Sequence, residues 1–540
     1  MCGFTGTVIP RTGHILRHRG PDGIGSSSAS LNWAHVAVEM ARLAIVDRRQ
    51  IGVPFDFRES CGVVLAFNGE LYNWRELRSE LSDGTPWETD CDAEVVARAW
   101  RRWGPSMLHR FNAMFGLVII DSINNEVFLA RDRAGEKPLY YAPFGTGLAF
   151  ASEIKALPIR LEESLCPDVD VFEFDCLETT PFKDVRRLGP GQFIRLRSPK
   201  ELSDIKCNTW WELPYGTVDE NMTWDDAVEE TYSLIVDAVK IRSVSEVVVG
   251  AQVSGGLDSA IVQAIAKCDK AYTVTFPDDG VDNLPLARLA AGREPTPITF
   301  GMADLMRVLP EVVYHLDTPA TWTSVCQWFM NKKMAEDGCV VALSGEGADE
   351  LFGGYTRYRI LHHIMKTQDD PFLADYSYAR TRLLGTDEEI IARMLDRSDG
   401  SARNHALDIV RRFSKDSGNL LTNAMRVEFY STMQLLMRMA DKMAAASSIE
   451  NRSIFFDYRL MELSARMPVW YKIDETGSKK VLREVAKWNG IKVAPEIINE
   501  TTKKGLFVPW SKWSGSNSWN RDSFAKLMKE VWRNRFFQAG

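Results

Sequence analysis

Basic excess is missing from this 540-residue chain. Its 65 Lys+Arg stand against 73 Asp+Glu, a net charge of -8, so a protein whose affinity comes from neutralising phosphate backbones is disfavoured. Missing too is any stretch near the roughly 20 consecutive apolar residues that cross a bilayer, and Met1-Cys2-Gly3-Phe4 carries no basic segment before an apolar run. A soluble protein with neither nucleic acid nor membrane as partner is expected. The nine cysteines, at 2, 61, 91, 166, 176, 207, 268, 326 and 339, form no C-x-x-C pair, and the eight histidines supply no zinc-ligand spacing. An odd, scattered set of thiols is expected to stay reduced, in a cytoplasm. Internal repeats and low-complexity tracts are absent as well.

What remains is a globular composition, 45% hydrophobic and 26% charged, in a chain long enough for two large units. The first half reads as short apolar runs closed by Asn, Asp and Gly: Gly62 to Phe67 before an Asn68-Gly69 turn signal, Asn125 to Ala130, Gly147 to Ala151, and Gly191 to Arg197 as a last strand. Helices are few there, Ala93 to Trp103 being one. Periodicity is then lost, and we place a first domain at 1–198 and a linker at 199–224. A second domain over 225–540 opens with Thr223-Trp224-Asp225-Asp226, an N-cap with acidic first-turn residues and a helix to about Ile241. Val247 to Val253 has the continuous apolar character of a buried parallel strand, with further strands expected at Tyr272 to Phe276 and Cys339 to Leu343 and helices dominating later.

Chemistry enters at the N-terminus. A small residue after Met permits Met removal, and a chain beginning at Cys2 would carry a thiol and an α-amine on one residue, nucleophile and base together. Downstream come, in order, Arg17-His18-Arg19-Gly20-Pro21-Asp22-Gly23, Ala41-Arg42-Leu43-Ala44-Ile45-Val46-Asp47, Phe67-Asn68-Gly69-Glu70-Leu71-Tyr72-Asn73, Cys91-Asp92-Ala93-Glu94 and Arg131-Asp132-Arg133. Farther on, Ser254-Gly255-Gly256-Leu257-Asp258-Ser259 joins an apolar strand to a helix-like run, a turn whose N–H groups make an anion site. It lacks the Lys of the G-x-x-x-x-G-K loop. Its partner, Ser344-Gly345-Glu346-Gly347-Ala348-Asp349-Glu350, follows a second strand, so Asp258 and Asp349 both fall at strand C-termini, where open α/β sheets bind ligands.

The first set resembles the N-terminal-nucleophile glutaminase domain of class II glutamine amidotransferases. The whole chain, with Ser448 to Ser453, Ser478 to Glu484 and Lys503 to Pro509, resembles the glutamine-hydrolysing asparagine synthetase family. That resemblance implies an α+β sheet sandwich of N-terminal-nucleophile type, followed by an α/β pyrophosphate-loop domain with a helical C-terminal part. It implies Cys2 as nucleophile, Asn68 and Gly69 as oxyanion hole, Arg42 on the glutamine α-carboxylate, and Glu70 with Asp92 at its amino end. It also implies ATP held by Ser254, Gly255, Gly256, Asp258 and Ser259, with Val274, Ser344 and Gly345 beside the nucleoside, and Mg²⁺ on Asp258 and Asp349. Lys479 would stabilise charge during adenylation, and Glu346 would take the proton from attacking ammonia.

The chain departs from the family pattern in four places. Fifteen residues separate Cys2 from His18, fewer than usual; the segment 314–325, which helps shape the acceptor pocket, is altered; and Asn283 and Ile454 replace a usual acid and a usual Pro. The expected function is amide formation on a carboxylate using glutamine and ATP, with aspartate the default acceptor. A different carboxylate in specialised, natural-product metabolism is the first alternative. A ring-closing ligase with an inactive glutaminase domain is the second, weakened because Cys2, Arg42, Asn68 and Asp92 are all present. A buried, largely apolar passage from Cys2 to Glu346 follows from two centres sharing ammonia. Partners are expected to be small molecules, with a homodimer left open.

Overall fold

The computed structural model describes residues 2–8, 16–49, 52–166, 175, 177–366, 388–389, 391–392, 403–414, 419–488, 490–500, 508–514 and 521–538. Twelve strands build the N-terminal part: β1 (Gly3–Thr7), β2 (Gly23–Ser30), β3 (His35–Arg42), β4 (Phe55–Phe57), β5 (Val63–Leu71), β6 (Ala113–Asp121), β7 (Glu126–Arg131), β8 (Tyr140–Phe144), β9 (Gly147–Ala151), β10 (Arg186–Arg187), β11 (Gln192–Leu196) and β12 (Asn208–Thr209). They form two six-stranded sheets, ordered β10-β8-β9-β1-β3-β2 and β12-β11-β7-β6-β5-β4, antiparallel throughout. Eight of the nine β5 residues are buried, where a half-exposed strand would alternate. Both its faces are covered, by the β1 sheet and by helix α1 (Asp92–Trp103).

Two details differ from the sequence reading. Asn68-Gly69 is no turn: it continues β5, with Asn68 opposite Gly116 and Gly69 opposite Phe115. Glycine is required there because a Cβ on Gly69 would meet the Met114 carbonyl oxygen and the Phe115 Cα. The segment 199–224 is partly structured, since Asn208–Thr209 pairs with Gln192–Phe193 and extends the first domain's sheet.

The second part opens on helix α2 (Trp224–Arg242), capped as expected by a reciprocal Thr223/Asp226 box. Five parallel strands follow, β13 (Val249–Gln252), β14 (Lys270–Val274), β15 (Thr296–Ile298), β16 (Val341–Ser344) and β17 (Glu450–Ser453), in the order β15-β14-β13-β16-β17. Strand order therefore reverses between β13 and β16, and a crevice opens beyond their C-termini. Helices α3 (Leu257–Ala266), α4 (Met302–Leu316), α5 (Trp322–Glu336) and α6 (Thr432–Ala445) pack around the sheet, α6 lying against α5, α4 and β17. The fold class is thus the expected one: an antiparallel sheet pair, then a parallel α/β sheet with a helical C-terminal part.

Buried ion pairs join the two parts. Asp441 accepts from Arg19 at 2.8 Å and from Lys137 at 3.1 Å; Asp317 lies 3.0 Å from Lys155 and 2.6 Å from Lys442; Arg242 meets Glu136 at 3.1 Å. Each partner is desolvated, so removing either member leaves a stranded charge. Among the described residues all cysteines are free thiols, and no helix is long and apolar enough to cross a membrane.

Candidate active sites

Two centres emerge, one at each sheet system. In the first, Cys2 immediately precedes β1 and is 7% exposed. Its backbone nitrogen, an amide while Met1 is attached and an α-amine after its removal, lies 3.2 Å from Asn68 Oδ1. The other end of that side chain, Asn68 Nδ2, is buried without a hydrogen-bond partner. An orphan buried donor is costly, and a donor of this kind is what an oxyanion requires. Burial pushes the Cys2 thiol up from its ordinary value, so the sulfur depends on a neighbouring base. Arg42 ends β3 and is anchored through carbonyls, donating to Arg49 O at 2.9 Å and Asp47 O at 2.6 Å. Asp92 opens α1 and accepts from Leu71 N at 2.8 Å.

A cavity of about 30 Å³ gathers Cys2, Arg42, Gly69, Glu70 and Asp92, and Asn68, the sixth glutaminase residue expected from sequence, joins them through its contact with the Cys2 nitrogen. The cavity's remaining polar wall was assigned no role from sequence: Glu450, from β17 of the other domain. Its neighbour Arg452 reaches Glu70 at 3.1 Å and Glu450 at 2.7 Å. Burial, with Asp92 and Glu450 nearby, still pushes the Glu70 carboxyl up to about 8.

The second centre occupies the crevice between β13 and β16. Ser259 Oγ accepts from Ser254 N at 3.2 Å and donates to Gly256 O at 3.1 Å, which folds the Ser254–Ser259 turn onto the α3 N-terminus. Gly255 has φ +79°, and Gly345 approaches so closely that a Cβ would meet Ser259 N and the Asp258 carbonyl carbon. The two strand-end loops are therefore in contact. Lys479 Nζ sits between the carboxylates, 2.6 Å from Asp258 and 2.6 Å from Asp349. Around it a polar pocket holds Ser254, Gly255, Gly256, Ser478 and Arg483. Arg483 had no role in the sequence reading.

An adjoining cavity of about 250 Å³ brings together Val274, Ser344, Gly345 and Glu346 with Thr323, Met330, Tyr355 and Leu436. Burial, with Glu350 adding to it, pushes the Glu346 carboxyl up to about 7 against the bonds it accepts, led by Gln327 Nε2 at 2.6 Å. Asn451 Nδ2 also reaches Glu346, at 3.4 Å. Adjacent residues of a strand face opposite ways. Strand β17 accordingly places Glu450 in the Cys2 cavity and Asn451 on Glu346. Of the Lys503 to Pro509 motif, 503–507 lie outside the described residues.

A buried N-terminal thiol on a sheet sandwich, coupled through one strand to a phosphate-type loop at a switch point, defines a class: ligases that pair a glutaminase domain with an ATP-cleaving one. Comparison with known proteins gives the same answer from sequence. The asparagine synthase family profile matches residues 230–539, and that of the glutamine amidotransferase domain matches 1–211. The chain belongs to the asparagine synthase family. It is 27% identical to glutamine-hydrolysing asparagine synthetase 1 of Bacillus subtilis over 97% of this chain and 89% of that one. To asparagine synthetase B of Escherichia coli it is 30% identical, over 63% and 60%. A solved glutamine phosphoribosylpyrophosphate amidotransferase of B. subtilis matches loosely, at 16% identity and a TM-score of 0.29, over 64% of this chain and 81% of that one.

Proposed function

We propose that the protein hydrolyses glutamine at Cys2, passes the ammonia to the second domain, and there converts an ATP-activated carboxylate into its amide. In the first half-reaction the Cys2 sulfur attacks the glutamine side-chain carbonyl, its proton going to the freed α-amine. The oxyanion forms against Asn68 Nδ2 and the Gly69 N–H, ammonia leaves, and water releases glutamate. Arg42 takes the α-carboxylate, while Asp92 and Glu70 take the ammonium.

In the second, a carboxylate oxygen attacks the α-phosphorus of ATP and the bond to the β-phosphate breaks. The Ser254–Ser259 turn and Lys479 receive the pyrophosphate. Ammonia then attacks the acyl carbon, AMP departs, and Glu346 accepts the proton. Its carboxyl, poised near 7, suits that task at neutral pH. Asp258 and Asp349 fit Mg²⁺, because their hard oxygens already converge on a single cation. When bound, the ion would neutralise phosphate charge as pyrophosphate leaves.

The observation that carries the reading is strand β17, whose consecutive residues touch both centres. It supports a short passage for ammonia, met at the Cys2 end by charged Glu450 and Arg452 where an apolar lining was expected. Aspartate is the acceptor that the relatives' names point to. A different carboxylate is the alternative that the altered 314–325 segment supports. The decisive experiment is Cys2→Ala. We expect glutamate production to vanish while ammonium chloride still supports AMP-forming amide synthesis. Loss of glutamine-dependent and ammonia-dependent synthesis together, in a variant with an unchanged thermal midpoint, would overturn the division of labour.

A further inference from the structure

We propose that Gln327 and Asn451 form the receiving end of the ammonia passage, their side-chain carbonyls accepting N–H bonds from ammonia as it reaches Glu346. The inference rests on the adenylation reading above and adds to it a site for the incoming nucleophile. Both side chains reach Glu346 from outside the 250 Å³ cavity, whose wall includes Glu346 but neither of them. Gln327, on α5, donates from Nε2 to Glu346 Oε1 at 2.6 Å, and Asn451, on β17, from Nδ2 to Glu346 Oε2 at 3.4 Å. An ionised carboxylate only accepts, so each amide must turn its NH₂ toward Glu346 and its carbonyl oxygen elsewhere. Those two oxygens, Gln327 Oε1 and Asn451 Oδ1, are buried with no hydrogen-bond partner among the described residues, on side chains 1% and 8% exposed. Two unmet buried acceptors beside one carboxylate are costly, and a small donor arriving there relieves both.

Their place in the fold fits a nucleophile coming from Cys2. Alternate residues of β17 face opposite ways. Glu450 lines the Cys2 cavity and Arg452 meets Glu70, while Asn451 bonds Glu346 and Ser453 Oγ donates to the Glu346 backbone carbonyl at 2.5 Å. Strand β17 is the edge of the parallel sheet, so a single strand separates the Cys2 cavity from the amides. Amides also suit the cargo. A carboxylate in their place would favour ammonium, which has no lone pair to attack with, whereas a neutral carbonyl holds an N–H of ammonia without adding charge. With two N–H groups so held, the nitrogen lone pair is left for the acyl carbon. The C–N bond forms, AMP leaves, and the proton that the nitrogen sheds passes to Glu346.

Methylamine tests this, because it keeps the lone pair but carries a methyl group where ammonia has one of its N–H donors. The full-length protein would be supplied with ATP, Mg²⁺ and whichever of aspartate, β-alanine, succinate and propionate gives the fastest ATP–pyrophosphate exchange. Amide formation from ammonia and from methylamine is then compared at equal concentrations of the unprotonated amines. Gln327→Met/Asn451→Leu replaces both amides by apolar groups of similar size. We expect it to raise the methylamine-to-ammonia ratio of kcat/KM about tenfold, on the scale of two lost hydrogen bonds. Each single substitution should move the ratio about threefold, which keeps the inference testable if the double variant does not fold. Exchange on each variant, a step that ammonia does not enter, reports the folded fraction. The ratio cancels any change in Glu346 itself, so an unchanged ratio in folded variants, with both amines slowed alike, would reduce the amides to supports for Glu346 and overturn the inference. Exchange measured first on the unaltered protein keeps the two levels apart: none with any of the four acids would instead sink the adenylation reading.

Discussion

Lys479 and its two carboxylates give a prediction whose sign differs between variants. The ammonium lies 2.6 Å from each partner and all three side chains are about nine-tenths buried. These three side chains hold two negative charges against one positive, with the Arg483 guanidinium in the same pocket and within the field of Asp258. Asp349→Asn removes one negative charge and leaves Lys479 balanced by Asp258, so the unliganded protein should change by less than about 1 kcal/mol. Lys479→Met does the opposite: two carboxylates, at most twice 2.6 Å apart, face each other with nothing between. At an effective dielectric of 20 that repulsion is on the order of 3 kcal/mol.

If the carboxylates ligate Mg²⁺, the ion restores Lys479→Met, adding about 2.7 kcal/mol when present at a hundred times its dissociation constant. Asp258→Asn and Asp349→Asn, by contrast, should lose two or more orders of magnitude in pyrophosphate exchange, about 3 kcal/mol of transition-state stabilisation. Glutamine hydrolysis should persist in all three. Thermal unfolding with and without Mg²⁺, alongside parallel pyrophosphate and glutamate assays, reads every arm. A Lys479→Met protein indifferent to Mg²⁺, or Asp→Asn variants with unchanged exchange, would refute the reasoning.

Three further outcomes follow from the same geometry. Asn68→Ala should cut glutamine hydrolysis by roughly 10²–10³ and leave ammonia-dependent amidation intact, since only the oxyanion donor is lost; steady-state glutamate release checks it. Glu346 acts as base only when ionised, so with its carboxyl near 7 amidation should fall as pH drops through that value. At a fixed concentration of unprotonated ammonia the rate should rise about tenfold from pH 6 to pH 8, a dependence that Glu346→Gln should abolish. Asp441→Asn leaves Arg19 and Lys137 short of one buried negative charge and should destabilise the protein by about 3 kcal/mol, seen as a lower thermal midpoint.

The site was more legible than the contacts that hold it. Resemblance to the family's motifs marks Cys2, Arg42, Asn68, Gly69, Glu70 and Asp92, and the structure gathers them, Asn68 through its bond to the Cys2 nitrogen and the rest around one cavity. Local rules also placed α2 through its capping box, and α1 within one residue of its start. Those rules failed at Asn68-Gly69, where the commonest turn dipeptide stands mid-strand, because its glycine answers to the Met114 carbonyl across the sheet, a tertiary demand. Strand β17 was invisible for a related reason. Glu-Asn-Arg-Ser has no apolar alternation, and its burial comes from two domains closing on it. Lys479 and Asp258, 221 residues apart, likewise meet only through the fold.

The central claim is that one chain takes nitrogen from glutamine and spends ATP by cleavage between its α- and β-phosphates to place that nitrogen on a carboxylate. Incubating the protein with glutamine labelled with ¹⁵N in its side-chain amide, ATP, Mg²⁺ and a mixture of aspartate, β-alanine, succinate and propionate, and following phosphorus and nitrogen by NMR, tests it in a single sample. The account predicts AMP and pyrophosphate in step with a new ¹⁵N-labelled amide. ADP and phosphate in their place, or an amide without the label, would contradict it.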